Sequence, residues 1–99
     1  MHQLVFYVPH SHLEVVKEAL FAAGAGRMGN YDRCSWETEG LGQYRPREGS
    51  NPFLGEEGRT ERVREWKVEM VCEGSALAAV LAALKKAHPY ETPAYFVHS

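Results

Sequence analysis

The run His88-Pro89-Tyr90-Glu91-Thr92-Pro93 constrains the fold of this chain more than any other stretch. Proline supplies no amide to a helical hydrogen-bond ladder and pushes the residue before it out of the helical region. The Ala/Leu-rich run upstream must therefore stop at His88. Pro93 stands at the mouth of Ala94 to His98, a place where a strand tolerates a missing donor. These six residues predict a fixed bend between an apolar helix and a short final strand, and the remaining elements are placed around it.

Upstream, Gln3 to Val8 is apolar on both faces and ends at Pro9, the pattern of a central strand. Ser11-His12-Leu13-Glu14 has the spacing of a capping box, which predicts a helix starting at His12. Leu13, Val16, Leu20 and Ala23 recur at helical spacing, and Gly24 ends the run as a C-cap would. Gly24 to Gly29 spells GxGxxG, but a dinucleotide loop follows a strand and opens a helix, whereas this one follows a helix and opens a strand. The cofactor reading is rejected on that ground. Tyr31 to Glu39 alternates, with Cys34, Trp36 and Thr38 on one side and Ser35, Glu37 and Glu39 on the other, as in a half-exposed strand. Residues 40–62 are rich in glycine, proline and charge, and predict a long loop with short strand pieces near Gly42 to Arg45. Val63 to Cys72 alternates again, Trp66, Val68, Met70 and Cys72 facing inward and Lys67 and Glu69 outward. Gly74 and Ser75 introduce a helix over Ala76 to Ala87 with a stripe of Leu77, Val80, Leu81 and Leu84; Lys85 and Lys86 complement its dipole.

The order is strand, helix, strand, strand, helix, strand. With right-handed crossovers it predicts an α+β, ferredoxin-like βαββαβ fold: four antiparallel strands in the order 4-1-3-2, with both helices on one face. Residues 1–99 are expected to form a single domain, with the 40–62 loop between strands 2 and 3. In this topology His10, His12, His88, Tyr90 and Glu91 gather at one end of the sheet, beneath the loop. A composition of 44% apolar and 11% aromatic residues in 99 is enough for a real core. A net charge of −2 offers no basic field for nucleic acid and no polybasic anchor for a membrane. The longest apolar run, Ala76 to Leu84, is short of a membrane span, and no secretory leader pattern precedes it, so a cytoplasmic location is expected. Cys34 and Cys72 lack CxxC spacing and read as small buried hydrophobes rather than a disulfide.

His88-Pro89-Tyr90-Glu91 followed by Pro93 resembles the signature of the CutA-like and PII-like family, small ferredoxin-like proteins that typically form trimers. Gly29-Asn30-Tyr31, Cys34-Ser35, Arg45-Pro46, Gly49, Asn51-Pro52-Phe53 and Gly55 resemble more closely the YqfO-like domain, which in the Nif-three-like family is inserted into a larger metal-binding protein. The resemblance covers nearly the whole chain. Trp36 and Tyr44 depart from a pattern that favours Phe, and Ser50 from one that favours Ala; these are conservative swaps for the fold. The flanking lobes that carry the larger protein's two-metal centre have no counterpart in this sequence. The expectation is therefore a domain standing alone, with none of that centre's ligands and no hydrolase activity carried over.

Resemblance to PII-like proteins implies a non-catalytic sensor or adaptor whose loop binds a small ligand or docks a partner protein. Arg45, Arg47, Asn51 and Phe53 from the loop, with His88, Tyr90 and Glu91 from the turn, are the candidate ligand residues: Arg offers a planar fork to an anion and Phe an apolar anchor. The plainer reading is that they fold the loop onto its own domain, Phe53 as a plug and Asn51 as a turn former before Pro52. As the alternative, CutA-like ion tolerance implies a divalent metal, zinc or copper, held by His10, His12, His88 and Glu91. Catalysis is the least supported reading, because no serine or cysteine nucleophile stands in a recognisable motif. A homo-oligomer, trimer before dimer, is expected because Val5, Tyr7, Ala94 and Phe96 would leave an apolar patch on the uncovered face. Within the turn, Glu91 is expected to accept backbone amides and His88 to cap the last carbonyls of the second helix.

Overall fold

A strand with apolar side chains on both faces needs neighbours on both edges, and β1 (His2–Pro9) has them. It pairs antiparallel with β3 (Glu61–Cys72), Phe6 opposite Val68, and with β4 (Tyr95–His98), Phe6 opposite Tyr95. β2 (Trp36–Tyr44) adds to the far edge of β3. The four-stranded sheet runs β2-β3-β1-β4, the expected order read from the other edge. The computed structural model describes residues 1–99, and its α+β architecture is ferredoxin-like. No helix is long and apolar enough to cross a membrane.

α1 (Leu13–Ala22) and α2 (Gly74–Ala87) lie together on one face of the sheet. Leu13, Val16 and Leu20 of α1 and Val80 and Leu84 of α2 close over Leu4, Phe6, Val8, Val68, Met70 and Cys72. The stripe expected on the second helix is present, with Leu77 and Leu81 at its half-buried rim. α1 ends as its sequence predicts. Gly24 takes φ +113°, its amide bonds the Phe21 carbonyl and the Ala25 amide bonds the Leu20 carbonyl, which is the paired bond set of a glycine-terminated helix.

Several local expectations are corrected. The capping box does not form. His10–His12 make a 3-10 turn, α1 starts at Leu13 without a side-chain cap, and the Ser11 hydroxyl lies 2.8 Å from His12 Nδ1. α2 starts at Gly74, two residues before the predicted Ala76. Cys34 precedes β2 and is only half-buried, while Cys72 is buried as expected; neither is in a disulfide.

In β2 the polar side of the alternation faces the helices. Trp36 pairs with Glu69 on the open face and is 66% exposed, whereas Glu37 pairs with Val68 on the helix face, where Lys17 of α1 meets it at 2.7 Å. Burial lowers the Lys17 ammonium pKa, but the hydrogen bond and charge of Glu37 and the charge of Glu14 outweigh it and hold the value above the usual lysine range. A period of two makes register all-or-none for a face, and here the helix face of β2 carries an ion-paired carboxylate where an apolar side chain would be expected.

The loop is also shorter than 40–62. β2 continues through Tyr44 and β3 begins at Glu61, so Leu41 to Tyr44 and Glu61 to Arg64 form a two-stranded arm that runs beyond Pro9, the last residue of β1. Cross-strand pairing satisfies the backbone of this glycine-bearing stretch, which its composition could not reveal. The arm draws the molecule out to 47 × 24 × 22 Å.

Candidate functional site

The turn after α2 is fixed by His88, which is 5% exposed. Its backbone amide bonds the Leu84 carbonyl, but its ring does not cap the helix as expected. Nδ1 accepts the Tyr90 amide at 3.1 Å, so Nε2 carries the proton and donates to the Tyr7 carbonyl of β1 at 2.6 Å. A neutral imidazole thus ties the turn to the central strand. Burial lowers the His88 pKa below the ordinary imidazole value, against the smaller opposing pull of the Tyr7 carbonyl and the Glu65 charge.

Tyr90 follows and swings over the sheet. Its hydroxyl donates to Glu65 Oε2 of β3 at 2.7 Å, and burial, reinforced by Glu65, raises its pKa far above the phenol range. Tyr44, at the end of β2, meets the Tyr90 ring edge-on with centroids 5.6 Å apart and donates its hydroxyl to the Leu54 carbonyl of the loop at 2.8 Å. Burial, then the charges of Glu61 and Glu65, raises the Tyr44 pKa as well. Both phenols stay protonated and serve as donors.

The loop, residues 45–60, folds back over this turn. Pro46 is buried and its carbonyl takes the Gly58 amide; the Asn51 amide donates to Glu91 Oε2 at 3.0 Å; the Phe53 ring stands edge-on to His12 at 5.2 Å. The expected backbone bond to Glu91 is made, with the donor forty positions back in the loop rather than in the turn. Between loop and turn lies a cleft of about 280 Å³ lined by Tyr7, Gln43, Tyr44, Pro46, Ser50, Pro52, Phe53, Glu65, Tyr90, Glu91, Thr92 and Ala94.

Of the candidate ligand residues, Phe53, Tyr90 and Glu91 line this cleft, Asn51 latches its rim and His88 supports it from behind. Arg45 and Arg47 are exposed and do not line it. The metal set is not brought together: no three His, Cys, Asp or Glu side chains converge. His10 Nδ1 accepts the Trp66 indole N–H at 2.9 Å, His12 meets the Phe53 ring edge-on, and both ring nitrogens of His88 are already bonded. A donor set of this kind does not fit a zinc or copper ion.

No protein-family model matches the chain. Over 95 residues it is 46% identical to a GTP cyclohydrolase 1 type 2 homolog of Halalkalibacterium halodurans, covering 96% of this chain and 26% of that protein. It is 50% identical over 91 residues to the protein of the same name in Mycobacterium leprae, covering 92% of this chain and 24% of that one. The structure superposes on a Bacillus cereus protein related to NIF3 with a TM-score of 0.82 and 40% identity, over 98% of this chain and 24% of that one. The resemblance is to the YqfO-like domain of the Nif-three-like family. The chain spans about a quarter of the length of these relatives. The periplasmic divalent cation tolerance protein CutA of Archaeoglobus fulgidus shares the fold, with a TM-score of 0.68 at 18% identity, over 100% of this chain and 83% of that one. A YqfO-like domain thus has the CutA/PII-like fold, as the His-Pro-Tyr-Glu turn implied.

Sequence reasoning missed Tyr7, Tyr44, Ser50 and Glu65 as parts of the site. Glu65 alternates with Trp66 in a strand and looks like any outward carboxylate. The signal lay across the sheet, at Gly42 of β2, whose missing side chain leaves the Glu65 carboxylate room.

Proposed function

We propose that this chain acts as a non-catalytic sensor or adaptor domain that binds a small ligand in the cleft between the 45–60 loop and the His88–Glu91 turn. The observation that supports it most is the way the cleft is built. One wall, the turn, is anchored to β1 through His88, and the other, the loop, meets it across aromatic edges and the Asn51–Glu91 hydrogen bond. A ligand between them would order the loop and so report its presence to anything that touches the loop. Native mass spectrometry of the purified protein tests this, since it reads a retained small molecule directly. The expected result is a mass above that of the polypeptide; a bare mass, with no amide in 45–60 shifted in a metabolite titration by NMR, would end the reading.

The domain is further proposed to work as a homo-oligomer, a trimer before a dimer, in the cytoplasm, where two free cysteines stay reduced. On the open face Phe96 is 55% and Trp36 66% exposed. Val5 is buried within the protomer, and Lys67 and Glu69 stand between β1 and β2, so the apolar patch is narrower than expected. Phe96→Glu is expected to lower the mass seen by light scattering without lowering protomer stability. A monomeric wild-type protein at micromolar concentration would refute assembly.

A further inference from the structure

We infer that the cleft selects a cation, an ammonium or guanidinium group carried on a small apolar body. This deepens the ligand-binding reading above and rests on it. The walls are aromatic: Tyr7, Tyr44, Phe53 and Tyr90 line the cleft, with the Tyr44 and Phe53 centroids 5.6 and 6.4 Å from that of Tyr90. Two carboxylates, Glu65 and Glu91, stand among them, and no Lys, Arg or His does. The protein's ion pairs are all made elsewhere, by Lys17 with Glu14 and Glu37, Arg33 with Glu18, Arg59 with Glu56 and Arg64 with Glu39. Glu65 and Glu91 have no cationic partner. Each carboxylate uses Oε2 in its one hydrogen bond, to Tyr90 or Asn51, and leaves Oε1 free.

The sheet itself is shaped for one of these carboxylates. Gly42 of β2 has no side chain, and a Cβ there would land on the Glu65 carboxylate. The bare strand lets Glu65 lie over it and reach the cleft. A second, independent observation is the Ser50 hydroxyl, a buried oxygen with no hydrogen-bond partner, which lines the same cleft and leaves an acceptor for an N–H group. Aromatic faces attract cations, and a pair of carboxylates with no counter-charge, Glu65 half-buried and Glu91 at the exposed rim, gains from a cation and repels an anion. Arg45 and Arg47, the groups that would favour an anion, are outside.

The test is a titration of the isotope-labelled full chain at neutral pH with three probes of one shape: benzylammonium, benzyl alcohol and benzoate. Benzylammonium is expected to shift the amides of Asn51, Tyr90 and Glu91 with about tenfold higher affinity than benzyl alcohol, and benzoate to leave them in place. Glu65→Gln keeps an acceptor for Tyr90, and Gly42→Ala pushes the carboxylate aside. Each is expected to bring the affinities of benzylammonium and benzyl alcohol together. Equal binding of ammonium and alcohol, or stronger binding of benzoate, overturns the cation assignment and leaves the cleft a ligand site. No shift with any probe overturns both. The three-probe series on the wild-type chain decides the matter even where a variant fails to fold.

Discussion

The β1 end of the sheet and the β2–β3 arm are built from different residues and held by different forces. Under the helices, Leu4, Phe6 and Val8 are fully buried, and packing supplies the stability. Along β2 and out into the arm, no residue of Trp36–Tyr44 is buried, and backbone pairing, aromatic edges and carboxylates take over. Hydrogen bonds of that kind are each worth little net, so the arm and its loop can open without unfolding the protein. The region that carries the candidate site is thus the one that folding depends on least.

Paired substitutions give the sharpest way to break this contrast. Phe6→Ala is expected to cost about 3–5 kcal/mol in urea denaturation, the range for deleting a buried Phe, whereas Phe53→Ala, at a residue 44% exposed, should cost less than about 1 kcal/mol and weaken ligand binding instead. Comparable losses at the two sites would mean that the loop is part of the folding core.

His88 joins the two regions, and its variants come next in size. His88→Asn leaves the Tyr7 carbonyl short of its donor and is expected to cost about 1–3 kcal/mol. The pH dependence follows from the lowered pKa. Above the ordinary value of 6.5 both states are neutral at this ring and its stabilisation is complete; as pH falls below 6.5 the unfolded chain takes up a proton before the folded one does. The melting temperature should therefore decline from pH 7.5 to 5.5 in the wild type and decline less in His88→Asn. Equal slopes would show that the ring is not held neutral.

Gly24→Ala forces an alanine to φ +113° and brings its Cβ to 3.3 Å from that of Ala76, with an expected cost of about 1–3 kcal/mol by thermal melting. The smallest effect is expected at Glu91. Its carboxylate is exposed, so Glu91→Gln should change global stability by no more than about 1 kcal/mol, below the range for a buried charge-assisted bond. Hydrogen exchange at the Asn51 amide should nevertheless quicken, while β1 amides keep their protection. Unchanged exchange at Asn51 would mean that the bond to Glu91 does not hold the loop.

Outside β2, a pattern that repeats along the chain determined structure by itself. The unbroken apolar run of β1, the alternation of β3, the helical stripes of Leu13-Val16-Leu20 and Val80-Leu84, the stop at Gly24 and the bend at Pro89 all express local sterics or one-dimensional periodicity, and the strand order follows from them. The His-Pro-Tyr-Glu turn likewise marked one wall of the cleft. What tertiary structure alone decided are the places where two distant segments compete for one group. Lys17 drew Glu37 inward and turned Trp36 out; pairing with β3 carried β2 through its glycines to Tyr44; Tyr7 took the ring of His88 that local reasoning had assigned to the helix end. Glu65 became part of a site because Gly42 lies bare across the sheet and Tyr90 reaches over it. Such contacts depend on register and on the twist of a two-stranded arm, which set distances between residues far apart in sequence and leave no period along it to read.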